Sequence, residues 1–227
     1  DSERGITMKK IGAITVGQSP RVDLIPEIQP ILGDSVEIIQ AGALDGLSKE
    51  EIAKFVPRPG ENVLVSRLTD GTSATFGESY ILPRLQLCID DLEQQGVSLI
   101  LFLCTGEFPA EFRSNVPLIF PDHILKGLIP AIGVKNLSVI IPTKEQEAQM
   151  PGKWKDCCDS LHVTSVYPYG DPLAVFAAAK EIPADTDLIL LDCIGYTIEM
   201  KERIQALTQK PVLLSRTLVA RVIRELV

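Results

Sequence analysis

Two eight-residue segments lying 89 positions apart, LILFLCTG at 99–106 and LILLDCIG at 188–195, share five residues: Leu, Ile, Leu, Cys and Gly. Each opens on an apolar run of strand length and ends on a cysteine, directly in the first and after Asp192 in the second, with glycine two places beyond the cysteine. Continuous apolar strands belong in the middle of parallel sheets, where both faces are covered. Their recurrence with the same ending limits the chain to two similar α/β halves, each closing a core strand on a cysteine.

The rest of the chain alternates strand and helix patterns, as a parallel α/β fold requires. Strands are expected at 11–16, 36–41, 63–67, 97–103, 137–141, 163–166, 188–191 and 212–214. Helical spacing predicts helices at 21–32, at 81–95 and after Pro142 around Trp154. Further helices are expected at 173–180, 198–207 and 218–226. Ser48 with Glu51 three residues on forms a capping box that opens a short helix. Pro57, Pro59 and Gly60 mark a surface loop, and a polar stretch, TDGTSATFGES, follows the third strand.

Composition removes several function classes. Among 227 residues there are 22 basic and 30 acidic side chains, a net charge of −8, which is opposite to the basic face of a nucleic-acid binder. No apolar run reaches the roughly 20 residues of a membrane helix. The opening DSERGITMKK lacks the apolar core of a leader; residues 1–7 read as an extension upstream of a natural start at Met8. Five cysteines, two of them adjacent, do not make a disulfide framework, and a cytoplasmic location is expected.

In parallel sheets ligands bind beyond the carboxyl ends of the strands, which is where Cys104 and Cys193 stand. A lone cysteine packs more often than it reacts. Two at matched strand ends can instead flank one cleft, one removing a proton from a carbon and the other delivering one. Loop amides and helix N-termini at that edge are expected to lower both thiol pKa values. Asp192 opposes this at Cys193, so Cys104 is expected to be the more reactive. Cys88, Cys157 and Cys158 read as packing residues. His123 reads as a helix-start or surface residue and His162 as part of a strand edge, with no second ligand at zinc spacing. No dinucleotide fingerprint, phosphate loop or nucleophile elbow is present. Gln18, Ser19, Arg21, Arg67, Thr69, Thr72, Thr105 and Thr143 follow strands and are candidates for holding a small carboxylate, with helix capping as the ordinary alternative of the hydroxyl residues.

At these residues the sequence resembles the aspartate/glutamate racemase superfamily. Across Met8 to Val227 it is more closely similar to the AroM family, through ITVGQSP, LSKEEIAKF, VPRPGENVLVSRL, LDCIGYT and PVLLSRTLVARVIRELV. The resemblance implies two pseudo-symmetric lobes with parallel sheets and an active-site cleft between them. It also implies one catalytic cysteine from each lobe, Cys104 and Cys193, with no cofactor and no metal. It divides the chain into a first lobe over 8–121 with 215–227, whose terminal helix packs back on it, and a second over 122–214. Gln18-Ser19-Pro20 resembles a substrate turn of aspartate racemases, and Thr143 matches a hydroxyl used on substrate carboxylate. Thr105-Gly106 stand where the superfamily usually has Asn-Thr, and Ile194-Gly195 where it has Thr-His. These backbone positions are expected to line the substrate site.

The implied function is a cofactor-independent racemase or isomerase acting on a small carboxylate. The alternatives are a one-cysteine decarboxylase or isomerase, and a binding or regulatory protein that keeps the cleft without turnover. A homo-oligomer is an open expectation.

Overall fold

The computed structural model describes residues 7–108 and 111–227; most of the expected upstream extension lies outside them. Two four-stranded parallel sheets carry the fold. The first contains β1 (Lys9–Thr15), β2 (Val36–Gly42), β5 (Ile100–Phe102) and β6 (Leu118–Ile119) in the order β2-β1-β5-β6. The second contains β7 (Asn136–Ile141), β8 (Ser160–Ser165), β9 (Leu188–Leu191) and β10 (Val212–Leu214) in the order β8-β7-β9-β10. The two orders are the same, so β5 and β9, which carry the repeated segments, hold equivalent central places.

The apolar run of each repeat is continuous because its strand is buried on both sides. Ile100 and Phe102 pack in one layer with Leu85, Ile89 and Leu92 of α3 (Leu82–Gln94). Their neighbours Leu99, Leu101 and Leu103 pack in the other, with Ile28 and Leu32 of α1 (Ile25–Leu32). In the second sheet Ile189, Leu191 and Cys193 share one layer, while Leu188 and Leu190 face Trp154 and α4 (Pro121–Ala131). The last helix, α8 (Ser215–Leu226), leaves the second sheet and lies on the first, where Val219, Ala220 and Ile223 join Ile11, Ile28 and Leu101. The expected capping box is present at α2 (Lys49–Ile52). Helices α5 (Met150–Trp154), α6 (Ala174–Glu181) and α7 (Ile198–Thr208) complete the second half.

Three local expectations change. The helix predicted from residue 21 begins only at Ile25, because Arg21 and Asp23 form a turn in which the buried guanidinium pairs with the carboxylate. The third predicted strand, β3 (Val63–Arg67), joins neither parallel sheet. It pairs antiparallel with β4 (Ser73–Gly77), inside the stretch read as polar loop. Asp70-Gly71 supplies the turn, with Gly71 at φ +85°, and Leu64 and Phe76 turn inward as a register pair. Helix α4, whose Pro130 and Gly127 weaken the sequence signal, was not expected as a complete helix. No helix among the described residues is long and apolar enough to cross a membrane.

Candidate active site

Cys104 and Cys193 occupy the matching positions just past β5 and β9, and both line one cavity of about 40 Å³. The repeated Cys-x-Gly has a local purpose. The Gly106 amide donates to the Cys104 sulfur at 3.3 Å, and the Gly195 amide donates to the Cys193 sulfur at 3.4 Å. Both turns need glycine for space. A Cβ at 106 would lie 3.0 Å from Leu64, and one at 195 would lie 2.6 Å from the Tyr169 hydroxyl.

The β3–β4 hairpin closes the cavity from the first half. Gln146 donates to the Val63 carbonyl at 2.9 Å, and the Ser73 and Tyr167 hydroxyls are hydrogen-bonded. Arg67 lies over the Tyr169 ring, 5.7 Å from its centre, at a neighbouring cavity of about 210 Å³. With the hairpin in this position the cavity has room for only a few water molecules.

Three buried cations stand around the thiols. Lys153 of α5 donates to the Thr105 carbonyl at 2.6 Å and to both Asp192 oxygens at 3.0 and 2.9 Å. Arg21 chelates Asp23 with two bonds of 2.9 Å and reaches the Tyr169 hydroxyl at 3.3 Å. Arg216, at the start of α8, donates to the carbonyl of Ile194 at 3.0 Å and to Glu27 at 2.6 Å.

The expected lowering of the thiol pKa values does not occur in this closed form. Burial pushes Cys104 up to about 12 against the Gly106 hydrogen bond, and pushes Cys193 up to about 11 against the Gly195 bond. Removing a thiolate from water costs more than two weak N–H donors return. Arg21 and Arg216 favour the Cys193 thiolate, and the Asp192 charge that opposes it is bound to Lys153.

Thr105, Gly106 and Ile194 line the cavity as expected of their positions, while Gly195 supplies its amide to Cys193. Gln18 and Ser19 serve the loops instead. Ser19 gives its amide and hydroxyl to Asp45 at 2.7 and 2.6 Å, and Gln18 bridges Leu47 and Thr69. Thr143 follows the cavity-lining Pro142, and its hydroxyl has no hydrogen-bond partner among the described residues. Cys88 and Cys158 pack half-buried and Cys157 is buried; all five thiols are free. His123 is exposed in the first turn of α4, and His162 lies on the edge strand β8. Among the described residues no group of three or more His, Cys, Asp or Glu side chains could hold a metal ion.

Arg21, a candidate for holding a carboxylate, is bound to Asp23 instead, and sequence reading missed Lys153, Arg216 and Tyr169. They lie far apart in the chain, and nothing in their local spacing marks them as neighbours of a thiol.

Comparison with solved structures places this architecture. The Klebsiella pneumoniae allantoin racemase superposes with a TM-score of 0.63 at 14% identity, covering 96% of this chain and 87% of that one. For the Picrophilus torridus aspartate racemase the values are 0.62, 14%, 96% and 93%. For the Nocardia farcinica maleate cis-trans isomerase they are 0.63, 14%, 96% and 91%. At such identities the likeness establishes a shared racemase-type fold. No curated protein matches the sequence. The family model described as AroM protein matches residues 11–227, and on that match the chain belongs to the AroM family.

Proposed function

We propose that this protein is a cofactor-independent racemase or isomerase that acts at a carbon beside a small carboxylate, with Cys104 and Cys193 as its acid/base pair. The observation that carries the reading is the paired placement: equivalent strand ends, one shared cavity, and the same amide-to-sulfur bond at each thiol. A single thiol in a packed core would need none of these.

In the reaction, the Cys193 thiolate takes the proton from one face of the substrate carbon. The Cys104 thiol gives its proton to the opposite face. The carbon is inverted, the proton count is unchanged, and the two sulfurs have exchanged states, ready for the reverse direction. Both thiols are neutral at rest, and Arg21 and Arg216 on the Cys193 side make it the one that ionises when substrate enters. Thr105, Gly106 and Ile194 form the walls, Gly195 holds the Cys193 sulfur, and the Thr143 hydroxyl, unpartnered among the described residues, follows the lining residue Pro142 and would turn to the carboxylate. Arg67 stands at the rim. The hairpin has to move aside, since the closed cavity does not hold a carboxylate substrate.

The test is recovery of substrate from D2O across amino acids, hydantoins and dicarboxylates. Deuterium at the inverted carbon is expected, with C104S and C193S each lowering its uptake by about 10²–10⁴-fold. Absence of uptake from the whole panel defeats the reading. Carbon dioxide release from a substituted malonate would indicate one-cysteine decarboxylation, a chemistry named for the structural neighbour arylmalonate decarboxylase.

A second reading, a binding or regulatory protein, is favoured by the small closed cavity and by thiols held neutral at rest. Native mass spectrometry of fresh protein decides for it if a co-purifying carboxylate is found that the protein does not turn over.

A further inference from the structure

Among the described residues, Lys153 is the one side chain bonded to the flanks of both cysteines. Its ammonium reaches the carbonyl of Thr105, the residue after Cys104, and the carboxylate of Asp192, the residue before Cys193. Its side chain is 5% exposed and that of Asp192 is 1% exposed, so water does not screen either charge. The nearest other anion is Asp122 of α4 at 3.9 Å, itself held by Lys126 at 3.2 Å, which is also paired with Glu107. The groups around Cys193 are Asp192 on its own strand end, Arg21, Arg216 of α8, Tyr169, Tyr196 and Cys104. Around Cys104 stand Cys193, Lys153 and Asp192.

An uncompensated Asp192 carboxylate would oppose ionisation of both sulfurs. We infer that Lys153 is a positioning residue of the two-cysteine site: by holding Asp192 and Thr105 it cancels the carboxylate beside the thiols and sets the two strand ends at one spacing. This rests on the two-cysteine reading. Its consequence for thiol ionisation can be measured without any substrate.

The experiment is alkylation by iodoacetamide from pH 6 to 11, with Cys104 and Cys193 followed separately by peptide mass spectrometry. In K153M alkylation of both thiols is expected to slow about tenfold at every pH below their ionisation, the equivalent of about one pH unit. K153M/D192N, which removes both charges, is expected to return to the wild-type profile, and K153R to stay near it. An unchanged profile in folded K153M overturns the inference, as does a double variant as slow as the single one, since either would leave Lys153 a purely structural ion. If K153M does not fold, D192N carries the test. Its uncompensated ammonium should speed both thiols, and unchanged rates overturn the proposal. Failure to find a substrate leaves this result standing. Turnover together with an unmoved K153M profile defeats the inference alone.

Discussion

At the scale of single residues the molecule is governed by burial of groups that prefer water. Cys193 is 6% exposed, and its thiol is held neutral up to about pH 11, against 9.0 for an unburied cysteine. A thiol whose pKa is raised by folding keeps its proton in the native state while the unfolded chain has lost it. The native state therefore holds its full share of stability below pH 9 and loses it as the pH rises toward 11. The expected loss from this group is roughly 2–3 kcal/mol. Urea unfolding of the wild type should weaken between those pH values more than that of C193S. Parallel pH curves for the two proteins would mean that Cys193 is not shielded. Its neighbour Asp192 meets burial differently: the carboxylate is paired with the Lys153 ammonium at 2.9 Å.

At the scale of elements, the decisive piece is the β3–β4 hairpin. It belongs to neither parallel sheet, and it covers the thiols through side chains of the opposite half. Its first strand, VLVSR, alternates buried and half-buried residues, but its second, SATFG, does not alternate and sits in a stretch of small and polar residues that hides the strand. One hydrogen bond of this kind contributes about 1 kcal/mol. Q146A, which removes the bond to the Val63 carbonyl, should therefore raise alkylation of Cys104 and Cys193 by roughly fivefold through easier opening. Cys88, on the far side of α3, serves as the internal reference and should not change. Equal acceleration of all three cysteines would point to general loosening and not to a lid.

At the scale of the whole molecule, the two halves are joined by charge as well as by packing. Arg216 starts α8 from the second sheet, donates to the carbonyl next to Cys193, and pairs with Glu27 of α1 beneath the first sheet. Its side chain is fully buried, while Glu27 is 25% exposed. R216M leaves that carboxylate without its cation and is expected to cost about 3 kcal/mol. In the wild type, Trp154 fluorescence from the second half and Cys88 protection from the first should report one midpoint in urea. In R216M the two midpoints should separate. Separate midpoints already in the wild type would show that the halves fold independently and that α8 is no tie.

What could be determined from the amino-acid order alone was whatever short-range chemistry decides. The apolar runs at 188–191 and 212–214 become strands at those residues, because a continuous apolar segment has only a doubly covered strand to occupy. Ser48 and Glu51 cap their helix because both partners lie within one turn. The repeated Cys-x-Gly fixed the equivalence of β5 and β9, and with it the shared edge for two sulfurs. The charged surroundings of those sulfurs were decided by tertiary structure, which brings positions 21, 153, 169 and 216 around them. It also paired the Ser19 hydroxyl with Asp45. Thiol ionisation depends on desolvation and on charges from distant parts of the chain, and neither is encoded in a residue's immediate neighbours.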